Sequence, residues 1–174
     1  MKKVLSVLAV LAVAAGFAFA DEAGKNFKLT TTVADQTAFK VAGPTADVSD
    51  YAKIVALAVD YSDAPVTTAK TDIKTVAAAT NKKAGNDVTV TASATPLTCA
   101  DTSTPMGYTL SVGSVDTVVD KGATKDNIAI LDITSDGTQA YASKVLAAQV
   151  NATDFAAAAA GSYAATITFT VSGV

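Results

Sequence analysis

Three stretches of this chain alternate apolar and polar residues with a period of two, and nothing else in the sequence restricts its fold as strongly. Val88, Val90, Ala92 and Ala94 alternate with Thr89, Thr91 and Ser93. Near the carboxyl end, Tyr163, Ala165, Ile167, Phe169 and Val171 fall on one side and Thr166, Thr168 and Thr170 on the other. Near the amino end, Phe27, Leu29, Thr31 and Val33 oppose Lys28, Thr30 and Thr32. Successive side chains of an extended chain point to opposite faces, so this period describes strands with one buried face. Their Thr and Val content suits a pleated surface.

Weaker signals fill the space between. Gly43-Pro44 breaks the chain, and residues 54–61 (IVALAVDY) read as a strand with both faces apolar. Residues 70–78 form a less regular strand, 81–87 (NKKAGND) a turn, and Pro96 and Pro105 bracket a loop that carries Cys99. Residues 108–112, 115–119 and 127–134 complete the strand pattern, the second as an edge piece, and Asp136-Gly137 is a tight-turn dipeptide. Residues 141–150 satisfy either a strand or a helix period, and Asp154-Phe155 with the alanines that follow suits one helical turn or a spacer. About eight or nine short strands at such spacing predict an all-β, immunoglobulin-like antiparallel β-sandwich.

Lys2 and Lys3, an apolar run from Val4 to Ala15 and the small residues Ala18 and Ala20 before Asp21 have the layout of a secretory signal peptide. The run is shorter than the roughly 20 residues of a membrane span, so stable membrane insertion is not expected. The domain plan is then a signal peptide at 1–20, an amino-terminal donor-type strand segment at 21–42 and one sandwich domain at 43–174. A single cysteine allows no internal disulfide, and Cys99 reads as a small buried hydrophobe, with no cation or helix start in its local sequence to activate it.

Enzyme chemistry finds little to work with. The chain has no histidine, which removes the commonest general base and metal ligand together with Ser-His-Asp and Cys-His arrangements. Glu22 is the sole glutamate, so acid–base work would fall to aspartates that mostly lie beside turn residues. Three acidic groupings, Asp47 with Asp50, Asp60 with Asp63, and Asp132 with Asp136, lack the ligand spacing of a calcium loop and suit turn and cap roles. Every basic residue is a lysine and net charge is -3, which argues against nucleic-acid binding. No catalytic residue, metal ligand or cofactor is expected. Tyr51, Tyr61, Tyr108, Tyr141 and Tyr163 read as core and strand residues rather than a sugar-binding surface, and the sequon at Asn151-Ala152-Thr153 as accidental in a bacterial exported chain.

The two ends of the chain remain. An amino-terminal strand can pair within its own domain or fill an open groove in a neighbour, and the pattern alone permits both. In the second case Phe27, Leu29, Thr31 and Val33 are the donor anchors, with Thr31 at a tight pocket. The run Lys25-Asn26-Phe27-Lys28-Leu29-Thr30-Thr31-Thr32-Val33-Ala34-Asp35 resembles the "KNITVTASVDP" start of major pilins of the colonisation-factor class of chaperone-usher fimbriae. Residues 160–171 (AGSYAATITFTV) are similar to the carboxyl end of the same family, "AGNYSGVVSLVMT". Gln36 stands where those pilins usually carry proline, and the specific likeness covers about 24 residues at the two ends.

The resemblance implies a structural subunit of a bacterial surface fimbria that supports adhesion. It implies a homopolymer joined through the amino-terminal strand, with a periplasmic chaperone and an outer-membrane usher as partners and a host surface molecule as possible ligand. The route runs through the periplasm to the cell surface. Tyr163, Ile167, Phe169 and Val171 then form a carboxyl-terminal edge strand beside the acceptor groove. The alternative is a self-contained secreted sandwich that binds something at the surface without polymerising.

Overall fold

The structure is a computed structural model, described here for residues 31 and 33–173. Residues 1–20, expected to be a signal peptide, and Phe27 and Leu29 lie outside the described residues.

The alternating run at 88–94 forms strand β3 (Val88–Ala94), with Val88, Val90, Ala92 and Ala94 buried. It is the middle strand of a three-stranded antiparallel sheet, flanked by β8 (Lys125–Ile133) and β10 (Ile167–Ser172). The register of β8 against β3 shifts between Val90 and Thr91. A bulge of this kind places two residues opposite one, which lets Ile130 and Leu131 both be buried although they are consecutive.

Facing this sheet is a five-stranded one. It is built from β1 (Thr37–Ala42), β2 (Thr71–Thr80), β9 (Ala140–Val150), β6 (Tyr108–Val112) and β7 (Val115–Val119), in that spatial order and antiparallel throughout. A hairpin of β4 (Leu97–Cys99) and β5 (Thr102–Met106) completes the described strands. Val76, Leu110 and Leu146 from one sheet and Val90, Ile128 and Ile133 from the other form one core. The chain is therefore the all-β antiparallel sandwich that its patterning predicts.

Strand β2 explains its own irregular sequence. Val76 and Ala78 face the inter-sheet core, while Ala77 and Ala79 on the opposite face are buried by Ile54, Val48 and Tyr51. A strand covered on both faces need not alternate. Ile54 lies on α1 (Tyr51–Ala56), whose N-cap is Asp50; its carboxylate accepts the Lys53 amide at 2.8 Å. A second helix, α2 (Ala152–Ala157), starts at Asn151, whose side-chain oxygen accepts the amides of Thr153 and Asp154. Among the described residues no helix is long and apolar enough to cross a membrane.

Several expectations change. Residues 54–61 are not a strand: the Asp50 cap starts a helix, which ends at Leu57, and the following coil leaves Val59 and Tyr61 exposed. The loop between Pro96 and Pro105 is the β4–β5 hairpin, and Cys99 is buried in it as a free thiol, as expected. Residues 141–150 resolve as strand, because β9 pairs on both sides with β2 and β6. Residues 37–42, which the sequence places in the amino-terminal segment, form β1, an integral strand of the domain paired with β2, and the compact unit runs Asp35–Val174.

Candidate functional site

Among the described residues strand β10 is paired on one side only. Ala164 exchanges two 2.9 Å backbone bonds with Thr98, and the Thr166 carbonyl accepts the Thr95 amide at 3.0 Å. Even-numbered residues here therefore aim their backbone groups into the domain. Hydrogen-bonding direction alternates along a strand, so Ala165, Ile167, Phe169 and Val171 aim theirs at the open side. No strand among the described residues pairs there. The same alternation turns the side chains of Ile167, Phe169 and Val171 inward, where each is half-buried against the core.

Along that open side lies a groove of about 790 Å³ between the two sheets. Its floor is Val41, Ile73, Leu97, Tyr108, Leu146 and Ala148. One wall is residues 162–167 with Phe169, and the other is the coil at 61–66. Phe39 of β1 meets Phe169 of β10 with ring centroids 5.5 Å apart, tilted by 51°, so the two sheet edges touch there. The coil wall is held in place by charge. Lys74 of β2 donates to the Asp60 carboxylate at 2.8 Å and the Ser62 hydroxyl at 3.1 Å, and the Asp60 amide donates to the Val41 carbonyl at 2.8 Å. The Lys74 hydrogen bond, followed by those from Ser62, holds the Asp60 carboxyl well below the usual carboxylate range.

Three tyrosines line the groove: Tyr61, exposed on the coil wall, and Tyr163 and Tyr108, whose hydroxyls differ. Tyr163 shares a hydrogen bond with the Thr102 hydroxyl at 3.2 Å and donates to the Ala159 carbonyl at 3.2 Å. The Tyr108 hydroxyl is buried and has no partner among the described residues. Burial pushes its pKa up to about 12.

The expected site residues distribute unevenly. Tyr163, Ile167 and Phe169 line the groove, and Val171 lies further along β10 against the core. Tyr163 precedes the strand instead of lying in it, beside the Ala164–Thr98 bridge. Thr31 and Val33 belong to no strand, and Val33 is 77% exposed. The floor residues Val41, Ile73 and Leu146 carried no site signal in the sequence, because inward apolar residues look alike whether a neighbouring strand covers them or not.

Four of the six grouped aspartates take cap and turn roles, while Asp132 lies within β8. Asp47 pairs with Lys53 and accepts the Ser49 amide, Asp50 caps α1, Asp60 accepts the Ser62 amide, and Asp136 accepts the Thr138 amide. Among the described residues no three His, Cys, Asp or Glu side chains gather to hold a metal ion. Of the tyrosines read as core and strand residues, Tyr108 alone is fully buried; Tyr61 and Tyr141 are exposed, and Tyr51 begins α1. No family model matches the chain, and neither a curated protein nor a solved structure matches it significantly.

Proposed function

We propose that this chain is the structural subunit of a bacterial surface fibre, a fimbria supporting adhesion, in which residues 26–34 of one copy complete the sandwich of the next. The observation that carries the reading is the coincidence of an inter-sheet groove with a largely apolar floor and the unpaired edge of β10. An open edge beside exposed apolar surface is a liability unless a strand covers it, and strand addition satisfies both needs at once.

The dimensions agree. The wall from Ser162 to Phe169 comprises eight residues, which at about 3.3 Å each span roughly 26 Å. Residues 26–34 are nine, with anchors at every second position. Each apolar anchor buried contributes about 1.5–3 kcal/mol. On this reading the subunit has no catalytic activity and needs no cofactor. A periplasmic chaperone lends a strand to the β10 edge during export, an outer-membrane usher exchanges it, and the route ends at the cell surface.

Surface extracts run on gels without boiling should show a ladder of multimers that boiling collapses to one band. Deleting residues 21–34 should abolish the ladder while leaving the subunit bound to its chaperone. Fibres formed by the truncated chain would refute the assignment.

A further inference from the structure

We infer that the Tyr108 hydroxyl is the register pin of the groove, and that it pairs with the Thr31 hydroxyl of the incoming strand. The inference rests on the strand-addition reading and adds to it which residue selects the alignment.

Tyr108 lies on β6 with its ring turned inward alongside Leu110 and Val112, all three buried in the core. It contributes to the groove floor, whose other members are aliphatic: Val41, Ile73, Leu97, Leu146 and Ala148. Its hydroxyl has given up water without gaining a partner among the described residues. Buried polar groups in folded proteins are nearly always hydrogen-bonded, so an exception in the floor of an open groove points to a partner supplied by the occupant. The other groove tyrosines offer no such vacancy, since Tyr163 already bonds Thr102 and Ala159 and Tyr61 is exposed to water.

The occupant has a matching exception. Its inward set is Phe27, Leu29, Thr31 and Val33, three apolar residues and one hydroxyl. One polar position in the groove floor and one on the inward face of the strand define a single alignment. A slip of one residue turns every anchor to solvent. A slip of two sets Leu29 or Val33 against the phenol and leaves both hydroxyls unpaired. A lone polar pair in an apolar seam fixes register in coiled coils for the same reason.

The test is a double-mutant cycle on the full chain, expressed with its export machinery and read as the dissociation rate of surface multimers in detergent at one temperature. Tyr108→Phe and Thr31→Val should each speed dissociation about five- to tenfold, the worth of one hydrogen bond with a stranded partner. The double variant should return to within about twofold of the parent, because neither hydroxyl is then orphaned. Thr31→Ser should behave as the parent, and Thr30→Val, on the outward face, should change nothing. Additive single effects, a silent Tyr108→Phe, or a Thr31→Val that dissociates more slowly than the parent would overturn the pin. Strand addition would stand in each of those cases, because multimers still form and still depend on residues 21–34. Position 31 lies outside the compact unit, so its variants decide the matter even if Tyr108→Phe perturbs folding.

Discussion

Proline at position 165 separates an edge that is used from one that is merely present. The Ala165 amide points away from the domain, between Ala164 and Thr166, whose backbone groups bond Thr98 and Thr95. Proline there removes an N–H that no described residue accepts. Its neighbour Ala164 is already extended by its bridge to Thr98, as a residue before proline prefers. The isolated fold should lose less than about 1 kcal/mol, the range of surface substitutions that break no internal bond. On the strand-addition reading the joint between subunits should lose more. Residues 165, 167, 169 and 171 offer four amides to an incoming strand, each worth about 1 kcal/mol net when paired. Removing one, with the ring intruding on its neighbour, should weaken the joint by about 1–3 kcal/mol, a factor of roughly five to a hundred in dissociation.

Thr168→Pro is the comparison, because even-numbered amides face β3 and its loss breaks a ladder bond inside the domain. Denaturant unfolding of the subunit and heat dissociation of the multimer ladder read the two costs separately. Ala165→Pro should shorten the ladder while sparing the fold, and Thr168→Pro should damage both. Unchanged multimer heat stability in Ala165→Pro would refute the use of this edge, as would two prolines that cost the subunit the same.

Two further outcomes follow from the groove walls. The folded-state pKa of Asp60 is depressed chiefly by Lys74, so its contribution is complete above the ordinary carboxylate value of about 3.9 and is lost as pH falls towards the folded value. The difference in denaturation midpoint between the parent and Asp60→Asn should therefore be constant near neutral pH and shrink below about pH 4. Amide exchange at residue 60 should be faster in the variant at pH 6, because the coil wall loses its tie to Lys74. At Gly161 an added Cβ would sit 2.6 Å from the Cys99 sulfur, so Gly161→Ala should destabilise the domain by about 1–3 kcal/mol in urea unfolding, with Cys99→Ala restoring part of the loss.

Strands with one solvent face were legible in the sequence because their environment is itself alternating. Val88 to Ala94 needed no tertiary knowledge, and the structure places its boundaries where the pattern does. Legibility fails where a third layer intervenes. Residues 54–61 satisfy a strand period, yet Asp50 caps a helix one turn upstream, and Ile54 finds cover on the alanines of β2. The cap was visible in the sequence; its weight against a run of β-formers was not, because it depends on β2 offering a flat alanine face. The Ala-rich β9 shows the converse. Ala147 and Ala148 favour a helix in isolation, but two neighbouring strands claim both edges.

The site is legible in another sense, through residues that fail to match their surroundings. Inward apolar residues along β10 announce only a buried face. The information lies in backbone direction: the residues that turn apolar side chains towards the groove are the ones whose amides and carbonyls lack a strand partner. Side-chain and backbone periods coincide along a strand, so an occupant that satisfies one must satisfy the other, and only an extended chain does both. A globular ligand or a helix can fill a groove of 790 Å³ but leaves the edge unpaired. The threonines at 166, 168 and 170 present a polar outer face, while the Phe39–Phe169 contact and the Lys74–Asp60 tie restrict the opening. On the strand-addition reading such a surface resists indiscriminate sheet pairing while admitting a single strand between the two sheets.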